Sequence, residues 1–248
     1  AVASVTPVII DPETTFITLT TTFKYDSSLT TKDVSTLQTN VLNAVSSYNT
    51  DTLEDFTGMF RYSAVGKTID EADTSILSNI TKIKMYKYIT PTLSSGLKYT
   101  LSFNNAFYNP HSGHNASAGG IVSSTGFKIN DDSSTNEHFL DDNGEGAIRV
   151  YYLSGTTRIY TDSSFGTIDY TTGEIILTSA NITSISNVDG AASTQIRVTV
   201  TPSSNDVVPV RNQVLSIDTA NSSFTGSVDE IESGSSQAGT SYTTTSSY

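Results

Sequence analysis

His111 and His114, in the run His111-Ser112-Gly113-His114, have the spacing best suited to metal binding. Two imidazoles in one turn can share a cation. Further ligands would have to come from elsewhere, and His138 beside Glu137 is the other histidine-bearing pair. The plainer reading is a polar loop that contains histidine, so neither a metal nor any other cofactor is expected. Asp131-Asp132 and Asp141-Asp142-Asn143-Gly144-Glu145 bring carboxylates together. Calcium needs about six to eight oxygens at a defined spacing, and the alternating D-x-D-x-D-G pattern is absent. A hairpin turn is the expectation there. Gly66-Lys67-Thr68 looks like the end of a phosphate loop, but that loop needs a glycine where Arg61 stands. There is no G-x-S-x-G, and all three histidines lie in loop-like sequence. No carboxylate pair for glycoside hydrolysis stands out among the 25 acids, and there is no tryptophan for sugar stacking. No catalytic residue is expected, and the chain is read as a non-enzyme.

Composition narrows the partners. The 248 residues carry a formal net charge of −12, which disfavours nucleic acid because phosphate neutralisation needs clustered Lys and Arg. The densest basic run is Lys82, Lys84 and Lys87. On a strand, Lys82 and Lys84 share one face and Lys87 takes the other, as on a solvated or Lys-guarded edge strand. No cysteine is present, which excludes disulfides, zinc thiolates and a thiol nucleophile. No apolar run reaches membrane-spanning length, and no membrane partner is expected. The opening AVASVTPVII has no basic n-region and no initiator methionine, so it reads as part of a longer polypeptide rather than a signal peptide.

The periodicities predict an α+β chain: a β-α-α-β unit followed by a mainly antiparallel β region. Within residues 1–90, Ile17, Leu19, Phe23 and Tyr25 alternate with Thr18, Thr20 and Thr22 as a half-buried strand. Thr30 to Asp33 reads as a capping box, and Val34, Leu37, Val41, Ala44, Val45 and Tyr48 follow at helical spacing. A helical turn over Leu53 to Phe60, a short helix with Val65 and Ile69 inward, and a strand from Ile80 to Ile89 complete the unit. Beyond Pro91 helix signals vanish. Strand-like runs fill a β domain over 91–165, with a long loop at 104–124, and a second over 166–232. The hairpin at Tyr170 to Glu174 is the clearest turn. Residues 233–248 form a low-complexity tail. The aromatic residues Phe103, Phe107 and Tyr108 leading into the loop, and Tyr242 and Tyr248 in the tail, are the candidate partner anchors.

Three blocks carry a family resemblance. The first is Tyr25 through Thr31, leading into the capped helix. The second is Phe60–Thr81, with the pattern FRYSxxxxxIDxADxSIxSNIT. The third joins Gly166–Gly173 (GTIDYTTG) to Thr201–Leu215, with P-x-x-x-D-V-x-P-V-R-N-Q. In this order they resemble the C-terminal part of the baseplate wedge proteins of contractile-tailed bacteriophages, in the baseplate-J-like family. The resemblance implies a structural subunit of the virion tail baseplate, assembled in the bacterial host cytoplasm. It implies pairing with a second copy of itself, contact with other wedge subunits, and linkage of wedges into a ring around the hub that opens on sheath contraction. No catalytic residue carries over from such a family. The rival reading is a carbohydrate- or receptor-binding β-module of a tail fibre or adhesin, suggested by the Ser/Thr-rich β half and the histidine-bearing loop.

Overall fold

A computed structural model describes residues 12–114, 116, 119–132, 136–210 and 212–230. The opening ten residues and the tail 233–248, with Tyr242 and Tyr248, lie outside them. In chain order the elements are β1 (Glu13–Tyr25), α1 (Val34–Tyr48), a π-helical turn (Asn49–Leu53), α2 (Tyr62–Asp70), β2 (Ile76–Ile89), β3 (Gly96–Ser102), β4 (Ser123–Ser124), β5 (Phe127–Ile129), β6 (His138–Asp142), β7 (Ala147–Ser154), β8 (Thr157–Asp169), β9 (Glu174–Ile185), β10 (Ile196–Val200), β11 (Gln213–Ile217) and β12 (Ser223–Val228). The β-α-α-β order of the first unit stands. The α+β label gives way to a mainly β chain, with 47% strand and 14% helix.

β1 follows its alternation: Ile17, Leu19 and Phe23 are fully buried while Thr20 and Thr22 face solvent. Thr21, on the buried face, satisfies its hydroxyl against Thr81 Oγ1 at 3.0 Å. β2 begins at Ile76, earlier than the expected Ile80, because Asp73 turns the chain directly into the sheet with Ile76 N–H on its carbonyl. The N-cap of α1 is Asp33 itself, whose Oδ1 accepts from Thr36 N–H at 2.8 Å. Thr30 instead closes a small turn with Lys32 N–H. Leu37, Val41 and Val45 of α1 and Val65 and Ile69 of α2 bury their stripes in the same core as Ile17, Leu19 and Phe23. Each such side chain contributes about 1.5–3 kcal/mol on burial.

The first sheet runs β11-β1-β2-β10-β4, with β12 also on β1. β11 and β12 both lie parallel to β1, at Glu13–Ile17 and Thr20–Tyr25 in turn. The residues expected as one β unit over 166–232 are thus shared between two sheets, since β10, β11 and β12 extend the N-terminal one. The second sheet, β3-β9-β5-β6-β7-β8, is antiparallel throughout, and β8 pairs again with β9 to close a barrel. Phe127, Leu140, Ile148, Val150, Ile175 and Leu177 are buried in its core. The runs at Thr157–Tyr160 and Gly166–Tyr170 merge into the single strand β8, which ends at Asp169. The predicted hairpin after Tyr170 is present. Its Gly173 has φ +72°, and a Cβ there would lie 2.0 Å from Asn105 O, so only glycine fits.

Candidate interaction surface

The expected aromatic anchors lie where the two sheets meet. Phe103 and Phe107 are buried and pack edge-to-face at 5.4 Å. Their N–H groups donate to Gly173 O (2.9 Å) and Tyr170 O (2.7 Å). Lys87, buried on β2, reaches Ser102 O at 2.7 Å and Glu13 Oε2 at 2.9 Å beside them. The two phenylalanines therefore fasten the start of the long loop to its own core and keep no ring face for a partner. Tyr108 is 42% exposed. It is the one of the three that reaches solvent.

The histidines of the loop face each other, His114 Nδ1 to His111 Nε2 at 3.3 Å. Among the described residues no group of three or more His, Cys, Asp and Glu side chains is placed to hold a metal ion. His138 is buried on β6, edge-on to Tyr152, with Nε2 3.1 Å from Asp132 Oδ2 but not aligned for a hydrogen bond.

The acidic run behaves differently from the turn expected of it. Asn143-Gly144 does form the turn, but Asp141 and Asp142 are strand residues, each 1% exposed. Asp141 accepts from Arg149 Nε (2.9 Å), Arg158 Nη1 (2.7 Å) and Tyr160 OH (2.8 Å). Each guanidinium also lies over a ring, Arg149 on Tyr160 and Arg158 on Tyr151. Burial raises the Tyr160 pKa, and the Asp141 carboxylate adds to that rise. Asp142 points the other way. It accepts from Ile121 N–H (2.6 Å), Val122 N–H (2.8 Å) and Tyr170 OH (2.6 Å), clipping the end of the long loop to the barrel. A sequence signal for this existed: Arg149 and Tyr151, then Arg158 and Tyr160, share one strand face at alternate positions and call for a buried acid.

The three sequence blocks, far apart in the chain, meet in space. Asp26 N–H donates to Ser75 O, which joins the first block to the second, and just past the first block Lys32 Nζ binds Asp73 Oδ2. Phe60 and Val207 exchange backbone hydrogen bonds, each 3.0 Å. Asp206 accepts from Arg61 Nη1 (2.8 Å) and from Tyr62 N–H (2.9 Å), the first helical residue of α2. Arg61 offers no side-chain cap, so Asp206 caps α2 from across the chain. Asn79 Nδ2 holds the far half of α2 through Gly66 O and Asp70 Oδ1. That also disposes of the phosphate-loop pattern: Gly66-Lys67-Thr68 is mid-helix, with Thr68 Oγ1 on Ala64 O.

Next to Tyr108 a groove of about 770 Å³ runs along β2, lined by Thr81, Lys82, Ile83 and Lys84 on one wall and Thr201, Pro202 and Ser203 on the other. Lys82 and Lys84 stand exposed on the outer face, with Ile80 at 71% exposure beside them.

Residues 13–88 match the family model of baseplate structural protein gp6, C-terminal domain III. No curated protein matches the chain. The match bears out the resemblance to a phage baseplate wedge protein. It contains the first two blocks, Tyr25–Thr31 and Phe60–Thr81, and the third lies beyond it. The gp6-like span begins with β1 and ends one residue short of the end of β2, enclosing both helices. Its sheet is completed from outside the span by β4, β10, β11 and β12. A phage baseplate structural role follows from the match.

Proposed function

We propose that the chain is a non-enzymatic subunit of a baseplate wedge, that it pairs with a second copy of itself, and that such pairs link neighbouring wedges into a ring around the hub. The match of residues 13–88 to baseplate structural protein gp6 carries this reading. Its partners are then other wedge subunits, and its place is the tail baseplate of the virion, assembled in the host cytoplasm. A closed ring needs geometrically defined, repeated contacts. Rigid joints support that role: Asp206 on α2, Asp142 on the long loop, and Lys87 between the sheets. Exposed apolar side chains at Met59 and Val208, next to the Phe60–Val207 bridge, are available for contact.

The test is the absolute mass of the 26.5 kDa chain by light scattering after size exclusion, over a range of concentrations. A dimer is the expected result. A stable trimer would overturn it in favour of a fibre or adhesin module, and a monomer at every concentration would overturn pairing through this part of the protein.

A further inference from the structure

We propose that the free edge of β2, from Asn79 to Lys84, receives an extended segment of a different chain, one that carries carboxylates at alternate positions. The reading rests on which backbone groups are already used. On β1, Ile17 O accepts from Asp218 N–H, Leu19 N–H donates to Ser222 Oγ, and Tyr25 O accepts from Asp229 N–H. The odd-numbered residues of β1 therefore turn their backbone away from β2. The even-numbered ones pair with it, at Phe16–Tyr86, Thr18–Lys84, Thr20–Lys82 and Thr22–Ile80. On β2 it is then Asn79, Thr81, Ile83, Met85 and Lys87 that direct N–H and C=O to the far edge. Thr81 O agrees with this, because it accepts from Tyr62 OH at 2.9 Å on that side. This acceptor is therefore already used, and the edge offers an added strand its N–H groups and Ile83 O but not Thr81 O.

β10 fills that far edge only beside Met85–Ile89. It stops at Val200 because Pro202 follows, which has no N–H to donate. The chain there turns to the long loop instead, with Tyr108 N–H on Thr201 O (3.0 Å) and Ser203 N–H on Ala106 O (2.8 Å). One strand position in the sheet is thus half occupied. Its empty half is the groove beside Tyr108. A strand laid there continues the line of β10 and meets the N–H groups of Asn79, Thr81 and Ile83, which is strand addition to an open edge.

Charge selects the occupant. Lys82 and Lys84, on the outer face beside the slot, form no ion pair among the described residues, and neither does Lys24 on the same face of β1. Lys98 and Lys128 also form no ion pair among the described residues, so what marks Lys82 and Lys84 is their place side by side on the face next to the open slot. Carboxylates on alternate residues of an added strand would face them as cross-strand pairs. The same lysines repel a basic strand and guard the edge against indiscriminate pairing. A second copy brings its own lysines to the edge, and residues 231–248 hold one acid, Glu232. Neither matches as well as an acidic strand from another chain. This inference does not depend on self-association, and the two fail separately.

The experiment is amide hydrogen exchange by NMR on the full chain, with a capped octapeptide of alternating Asp and Val as probe and its Lys-for-Asp counterpart as control. The expected result is exchange slowed by about tenfold or more at Asn79, Thr81 and Ile83 with the Asp peptide alone. The double variant Lys82→Glu, Lys84→Glu, altered only at exposed positions, should reverse the preference between the two peptides. No slowing at these amides, or equal slowing by both peptides, would overturn the proposal. So would protection before any peptide is added: lost on dilution, it would assign the edge to a second copy, and lost on removing residues 231–248, to the tail.

Discussion

Replacing Asp141 by Asn tests whether a buried carboxylate organises the barrel wall. Asp141 is 1% exposed and takes three donors, two of them guanidinium groups. Asn keeps the shape but removes the negative charge between Arg149 and Arg158, whose side chains are 12% and 32% exposed. Taking one partner from a buried ion pair costs about 3–5 kcal/mol. Arg158 retains solvent and the Asn oxygen still accepts one hydrogen bond, which reduces the expected loss to about 2–3 kcal/mol. For a chain of this size each kcal/mol moves Tm by about 2–4 °C, so a fall of roughly 5–10 °C is expected. Differential scanning calorimetry at pH 7 reads it, with Asp131→Asn at an exposed turn position as the control. A fall no larger than the control's would refute the reasoning and leave the backbone ladders with the Arg–Tyr stacking to hold β6, β7 and β8 together.

Two further outcomes follow from the joints between the sequence blocks. The hydrogen bond from Lys32, helped by Ser75, pushes the Asp73 carboxyl down to about 2. Because the folded value lies below the unfolded one, the stabilisation of about 2 kcal/mol is complete above pH about 4 and is lost as pH falls toward 2. Urea midpoints between pH 2 and 5 should show that slope in the native chain and a shallower one in Asp73→Asn. Asp206→Ala removes the cap of α2 and the half-exposed Arg61 pair, a loss of about 1–2 kcal/mol. Hydrogen exchange should speed up in Tyr62–Val65 first, and unchanged exchange there would count against capping from across the chain.

Much of the N-terminal unit was legible because its signals are local. The alternation of Ile17, Leu19 and Phe23 specified β1, and the spacing of Leu37, Val41 and Val45 specified α1. Ile69 and Val65 likewise gave α2 its buried stripe, and Tyr170 to Glu174 specified a hairpin. The resemblance was legible for a related reason: Phe60–Thr81 packs helix, turn and strand into one short stretch. Element ends were less so, since the start of β2 depends on how Asp73 turns the chain.

The sequence by itself therefore determined the early strand and helices, the β character of the rest and the absence of any recognised catalytic motif. Tertiary structure alone decided what was long-range. β6 was invisible because Asp141 and Asp142 look like turn residues until Arg149, Arg158 and Tyr170 surround them. The cap of α2 could not be read near Arg61, because Asp206 supplies it from 145 residues away. The same holds for Phe103 and Phe107: aromatic residues at the head of a polar loop become core only when a second sheet closes over them. The open half-strand beside β2 exists because Pro202 ends β10 there, and a free edge is a property of sheet order, which no local pattern encodes.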